Sequence, residues 1–145
     1  MLKHQCDALA WRKSERQRLI AARLAMRAAE RRSHTTRIEA GLAEAVGNVH
    51  GQTVGVYWPF RGEPNLRRWM EWVLACGGAC ALPVVVKRHA PLVFREWHPG
   101  ARMVGGIWNI PVPADGAEVV LAIVIAPVVG FDPPLFQAGL WRWVL

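Results

Sequence analysis

A short run of aromatic, charged and turn-forming residues is the part of this sequence best suited to binding a small molecule. Residues 57–64 read Tyr-Trp-Pro-Phe-Arg-Gly-Glu-Pro and follow a β-rich segment. α/β proteins place ligand sites where strands end. An aromatic face can hold a flat heteroaromatic ring, while the Glu63 carboxylate accepts hydrogen bonds from the ring N–H groups. Spacing alone leaves a second interpretation open, in which this is an ordinary rigid turn and Glu63 is solvated.

Basic residues are concentrated near the start of the chain. Between Trp11 and Arg37, nine Lys and Arg residues are opposed only by Glu15 and Glu30, so this window carries the whole net charge of +7. Because the rest of the chain is about neutral, the pattern favours a local anion site over a polyanion-binding surface. A solvated helix face with a few functional arginines is one interpretation, and a basic nucleic-acid-binding helix is another.

Cysteine and histidine provide little evidence for metal or nucleophilic chemistry. Cys76 and Cys80 are four residues apart without a second pair, and His50 and His89 are not at ligand spacing. Since the segment around the two cysteines is apolar, we expect buried, reduced thiols. The histidines are scattered and form no triad with a nucleophilic serine or cysteine.

Helices and strands alternate along the chain, which predicts an α/β domain. We expect Asn65 to be the N-cap of the third helix and the apolar run 119–129 to be a central strand covered on both faces. The predicted helices cover residues 6–27, 28–46 and 65–76, and the predicted strands cover 53–58, 79–86, 92–97, 104–110 and 119–129.

Composition places the chain among intracellular globular proteins. Its 145 residues, 52% of them apolar, suit one domain with a sizeable core. Three cysteines fit a reducing compartment, and residues 1–10 lack the apolar stretch of a signal peptide. The run 119–129 is about half the ~20 residues of a membrane-spanning helix. We therefore expect a cytoplasmic monomer with a small-molecule partner and no membrane or nucleic-acid partner.

Four stretches, in order, resemble the 5-formyltetrahydrofolate cyclo-ligase family, also called 5,10-methenyltetrahydrofolate synthetases. The resemblance extends over nearly the whole chain to Asp132. The stretches are the N-terminal helix with Arg12, Arg16 and Arg23; Gly55–Pro64; Leu82-Pro-Val-Val with Pro91-Leu-Val-Phe, Trp97-His-Pro-Gly and Gly106–Pro113; and Pro127-Val-Val-Gly-Phe-Asp132.

The resemblance implies an enzyme with a three-layer α/β/α fold, a mostly parallel sheet and two N-terminal helices. The family uses ATP and Mg²⁺ to close a ring in 5-formyltetrahydrofolate, and it releases 5,10-methenyltetrahydrofolate, ADP and phosphate. By position, Arg12 and Arg16 match the basic pair that binds ATP phosphates, with Lys13 beside them. Their i, i+4 spacing puts both arginines on one helix face, as a phosphate clamp requires. Trp58 and Glu63 match positions that line the folate site, and no catalytic side chain is identified.

The end of the chain departs from the family. After Asp132 the family continues into a glycine-rich phosphate loop, R-L-G-x-G-x-G-Y-Y-D, whose closing Asp would hold Mg²⁺. This chain has Pro133–Leu145 instead, so the metal-binding Asp is absent. Residues 137–145 can be encoded by codons that, read one base later, give R-L-G-Y-G-G-G-Y. Because tryptophan has a single codon, Trp141 and Trp143 each force a glycine in that frame.

We therefore interpret the chain as an incomplete cyclo-ligase-like domain over residues 1–132 followed by an aberrant, frameshifted tail over 133–145. The expected function is ATP-dependent cyclisation of 5-formyltetrahydrofolate, impaired by loss of the loop. The alternatives are a catalytically dead remnant that still binds folate and a basic helical nucleic-acid-binding protein.

Overall fold

The computed structural model describes residues 2–131. Two long helices lead into a mixed α/β body, and among the described residues no helix is long and apolar enough to cross a membrane. The elements are α1 (Leu2–Ala25), α2 (Ala28–Val46), β1 (Thr53–Gly55), α3 (Arg67–Ala75), β2 (Ala79–Val84), β3 (Val93–Trp97), β4 (Met103–Gly105), a 3₁₀ turn (Ile107–Asn109), β5 (Pro111–Pro113) and β6 (Ile123–Val124).

The main sheet has the strand order β3-β2-β1-β6. β1 is parallel to both of its neighbours, because Val54 pairs with Cys80 on one side and with Ile123 on the other. β3 is an antiparallel edge strand, and β4 and β5 form a separate antiparallel pair. The predicted α/β class, with two N-terminal helices and a mostly parallel sheet, is confirmed.

The core lies between this sheet and α3. The helix buries Trp69, Met70 and Val73 on one face, while the neighbouring Arg67, Arg68 and Glu71 stay exposed. That spacing is the apolar stripe of an amphipathic helix. Val54, Cys80 and Leu82 of the strands, with Val56 just after β1, belong to the same buried cluster.

The start of α3 differs from the predicted cap. Leu66 is the N-cap residue, and Asn65 lies one position earlier. The Asn65 side-chain oxygen nevertheless accepts a hydrogen bond from the backbone N–H of Arg67, at 3.2 Å. Asparagine favours such a local turn two residues ahead, so it organises the entry to the helix without occupying the cap.

The two N-terminal helices are separated at Arg27, whose backbone is extended. α1 presents a half-buried stripe that includes Arg16, Ile20 and Arg23. α2 has the predicted bounds, places Leu42 and Val46 against the core, and ends at Gly47 with a φ of +67°. Glycine adopts this left-handed conformation without steric cost, which explains the end of the helix.

The prediction of a central strand over 119–129 is wrong. Only Ile123–Val124 pairs as a strand, at the edge of the sheet. Odd-numbered residues of this run are half-buried, but the even-numbered ones are exposed, with Val120 at 92% and Val124 at 58%. Within residues 2–131, nothing pairs with the outer side of β6 or covers its second face, so a sequence suited to a buried strand is left partly open.

Candidate active site

A cavity of about 650 Å³ lies at the carboxyl ends of the three parallel strands. Tyr57 follows β1, Val85 follows β2 and Pro127 follows β6, and all three line the cavity. α1 closes one side with Arg16, Ile20 and Arg23. Open α/β sheets place their ligand sites in this crevice, so the topology itself selects the cavity as the functional site.

The turn over residues 57–64 fixes a carboxylate against this cavity. The Tyr57 hydroxyl donates a hydrogen bond to the carbonyl of Pro64 at 2.8 Å, and Glu63 Oε2 accepts one from the backbone N–H of Phe60 at 2.9 Å. Arg61 and Gly62 both have a positive φ, at +49° and +75°. The turn is therefore rigid, but Glu63 is a half-buried, oriented group and not a solvated one.

Positive charge exceeds negative charge around this carboxylate. Burial raises the pKa of Glu63, although its hydrogen bond from Phe60 and the nearby Arg23 and Arg16 oppose the shift. Burial also lowers the pKa of Arg16, as do the charges of Arg61 and Arg23. Arg16 thus lies near two other guanidinium groups and one carboxylate. A bound anion would reduce the repulsion among these guanidinium groups, so the cluster has the charge that a phosphate or carboxylate ligand needs.

A backbone contact attaches α1 to the turn. Arg23 Nε donates a hydrogen bond to the carbonyl of Arg61 at 3.0 Å. Leu24 packs beside Gly62, where an added Cβ would come within 3.3 Å of Leu24 Cδ2. Because Arg16 is two turns before Arg23 on the same helix, this attachment positions both arginines at the cavity.

Aromatic side chains form much of the remaining wall. Trp58 is half-buried, makes an edge-to-face contact with Trp97 at 6.3 Å, and has the guanidinium of Arg67 5.4 Å from its ring centre. Phe60 lies nearly parallel to Trp108, with ring centres 6.2 Å apart and an interplanar angle of 11°. Such faces suit a flat conjugated ring.

The structure places Trp108 unexpectedly. The predicted strand over 104–110 is wrong after Gly105, because Trp108 and Asn109 have φ values of +54° and +57° and form a 3₁₀ turn. This left-handed pair turns the chain back and leaves Trp108 64% exposed at the cavity. Bulky residues rarely adopt a positive φ, and such backbone conformations are concentrated at functional sites.

Three of the five sequence-predicted site residues line the cavity: Arg16, Trp58 and Glu63. Arg12 and Lys13 are exposed, four and three residues before Arg16, and are not part of the cavity wall. Sequence reasoning did not assign roles to the other cavity residues with charged or aromatic side chains. These are Arg23, Tyr57, Phe60, Arg61, Lys87, Arg88, His89 and Trp108.

The prediction that both cysteines are buried is confirmed only for Cys80. Cys80 is buried, its Sγ lies 3.6 Å from the carbonyl of Met70, and burial raises its pKa to about 12. Cys76 is exposed, contrary to expectation, because it follows the last turn of α3. Within the described range 2–131, no three His, Cys, Asp or Glu side chains come together in a way that could hold a metal ion.

The solved structures that share this fold include two 5,10-methenyltetrahydrofolate synthetases. The NMR structure of 5,10-methenyltetrahydrofolate synthetase from Aquifex aeolicus is 22% identical, with a TM-score of 0.74, and the match covers 88% of this chain and 66% of that protein. A 5,10-methenyltetrahydrofolate synthetase from Mycoplasma pneumoniae is 15% identical, with a TM-score of 0.62 and coverage of 90% and 71%. This chain therefore spans about two thirds of the length of these proteins. No curated protein sequence matches it.

The match to a protein-family model is more specific evidence than the likeness in fold. Residues 8–134 match the model of the 5-formyltetrahydrofolate cyclo-ligase family. That range contains the arginine cluster, the turn with Glu63, the segment with Trp108 and the parallel strands that surround the cavity. The chain belongs to the 5-formyltetrahydrofolate cyclo-ligase family.

Proposed function

We propose that this chain derives from an enzyme that uses ATP to convert 5-formyltetrahydrofolate into 5,10-methenyltetrahydrofolate. The formyl oxygen takes the terminal phosphoryl group of ATP, the neighbouring nitrogen attacks the formyl carbon, and phosphate leaves with that oxygen. The observation that carries the proposal is one cavity in which an oriented carboxylate, aromatic faces and an excess of guanidinium groups meet.

In this proposal Glu63 and Trp58 bind the pterin ring of the folate. The pterin ring is flat and carries N–H donors, so it suits an aromatic wall beside a fixed carboxylate. Glu63 keeps one oxygen bonded to the backbone of Phe60, which leaves the carboxylate oriented for a second partner.

Arg16 binds the phosphates of ATP in this proposal. It lies on the cavity side of α1, in a cluster whose repulsion an anion relieves. Arg12 and Lys13 continue the same basic segment outward from Arg16 and extend the phosphate contact in the proposal. Mg²⁺ neutralises phosphate charge in reactions of this kind; the described residues offer no carboxylate cluster for it.

The tail determines whether this particular chain is active. We propose that residues 133–145 are an out-of-frame reading of the phosphate loop and that cyclisation is impaired as a result. The codon argument for Trp141 and Trp143 supports this, and so does the end of the family match at residue 134. Removing a single preorganised donor to a developing negative charge costs about 10²–10³ in rate, and here a whole loop of donors is replaced.

The test compares the 145-residue chain with a version whose reading frame is corrected by one base before the codon of Gln137. Formation of the methenyl product is followed by its near-ultraviolet absorbance in the presence of ATP and Mg²⁺. We expect turnover only from the corrected version. Robust turnover by the 145-residue chain would contradict the account of the tail, and absence of turnover in a folded, corrected version would contradict the proposed activity.

A further inference from the structure

The cavity has a second group of cations, separate from the arginines near α1. Lys87 and Arg88 line the cavity from the segment that follows β2. The strand order places β2 on the opposite side of β1 from β6, whereas α1 packs beside Gly62 after β1 and Gly130 after β6. Lys87 and Arg88 therefore line the β2 side of the cavity, whereas Arg16 and Arg23 line it from α1.

A tight turn presents these two cations. The backbone N–H of Ala90 donates a hydrogen bond to the carbonyl of Lys87 at 3.3 Å, and His89 has a φ of +60°. The turn lies between the antiparallel strands β2 and β3, and both basic residues on it are exposed and line the cavity. The cavity wall next to them is apolar, formed by Val84, Val85 and Leu92.

The chemistry of the substrate calls for two separated anion sites. In 5-formyltetrahydrofolate the reacting formyl group is on the pterin, and the two carboxylates of the glutamyl tail are beyond an aminobenzoyl ring. Phosphoryl transfer needs the ATP phosphates at the pterin end. Cations that bind the tail must therefore be distinct from those that bind phosphate, with an apolar stretch between them for the benzoyl ring.

We propose that Lys87 and Arg88 recognise the carboxylates of the glutamyl tail, with Val84, Val85 and Leu92 receiving the aminobenzoyl ring. This inference rests on the proposed function and adds a specificity element to it. Both cations are exposed, so each contact is a modest one, comparable with surface ion pairs. Their contribution is selection of a substrate that carries the tail.

The test uses calorimetric titration of the 145-residue chain with two compounds. One is 5-formyltetrahydrofolate, and the other is its pteroyl analogue in which an uncharged butylamide replaces glutamate. We expect the folate to bind about fivefold more tightly, as two exposed ion pairs predict. The double variant Lys87→Gln/Arg88→Gln should lose this difference and bind the butylamide unchanged. The matched control Arg37→Gln/Arg68→Gln removes two exposed charges outside the cavity and should keep the difference.

The outcomes separate the two proposals. Equal binding of both compounds by the unmodified chain, or an undiminished difference in the Lys87/Arg88 variant, overturns the tail site but leaves the folate proposal standing. If the unmodified chain binds neither compound, both the proposed function and the tail site are contradicted. Unchanged butylamide binding by the variant also shows that its cavity is intact.

Discussion

At the residue scale, Glu63 is a carboxylate at the cavity whose pKa is raised by burial. It is half-buried and bonded to the backbone of Phe60, so glutamine can replace it with little change of shape. Losing the charge should weaken binding of 5-formyltetrahydrofolate by about 1.5–3 kcal/mol, the usual value for a hydrogen bond to a charged group. Calorimetric titration of the Glu63→Gln variant measures this. Glu71→Gln, an exposed change on α3, is the control, and equal affinities would remove Glu63 from the site.

The pH dependence of stability follows from the same residue. Burial raises the pKa of Glu63 in the folded chain, so the folded state binds a proton more readily than the unfolded state. The contribution of Glu63 is therefore present at low pH and is lost as pH rises through its raised pKa. Urea unfolding at several pH values should show Glu63→Gln gaining stability relative to the parent over that interval. A constant difference between the two proteins would contradict the shift.

Arg12 and Arg16 are four residues apart on one helix, but only Arg16 lines the cavity. Arg12 is exposed one turn away. In the frame-corrected protein, Arg16→Ala should raise the KM for ATP by roughly tenfold or more and should leave the KM for folate nearly unchanged. We expect a smaller change from Arg12→Ala. Arg18→Ala, whose side chain pairs with Glu15 on the exposed surface, is the control. If neither KM moves in Arg16→Ala, the phosphate role is wrong.

At the element scale, the attachment of α1 depends on the shape of the turn it touches. Gly62 has a φ of +75° and lies against Leu24. Gly62→Ala should lower the free energy of unfolding by about 1 kcal/mol or more, because alanine is strained at this φ and crowds the helix. Gly41→Ala is the matched control, since Gly41 lies inside α2 with nothing within 4 Å, and it should raise stability by about 0.8–1 kcal/mol. Urea unfolding measures both. Stabilisation by both changes would contradict the role given to the turn.

The sequence predicts some elements and residues better than others for identifiable physical reasons. The bounds of α2 were predictable because Gly47 ends the helix locally, and Glu63 stood out because it follows a strand within an aromatic turn. Arg23 is on the inward stripe with Arg16 and Ile20, at spacings of four and three residues, which was the available signal. Trp108 was not predictable, because its exposure depends on a left-handed backbone pair inside an otherwise apolar segment.

At the scale of the whole molecule, the open face of β6 should determine how the 145-residue chain behaves in solution. Val124 is exposed on the edge strand β6 and Val120 is exposed shortly before it, and exposed apolar residues at a sheet edge promote association between copies. Val120→Thr/Val124→Thr keeps β-branched side chains and should reduce concentration-dependent aggregation in light scattering. In the frame-corrected protein, where we expect further elements to cover this face, the same pair should instead be destabilising. Unchanged aggregation of the short chain would show that its association has another source.

The parallel pairing of β1 with β6 also affects the order in which the chain folds during synthesis. β1, β2 and β3 are close along the chain, and their pairing needs only short loop closures, whereas Val54 must wait for Ile123 to leave the ribosome. The β3-β2-β1 unit with α3 thus contains most of the buried core before β6 is made. A reading-frame error after residue 132 comes too late to disturb that nucleus. We therefore expect the product of such an error to keep a folded core, in contrast to a chain whose reading frame is lost before β2 and β3 are made.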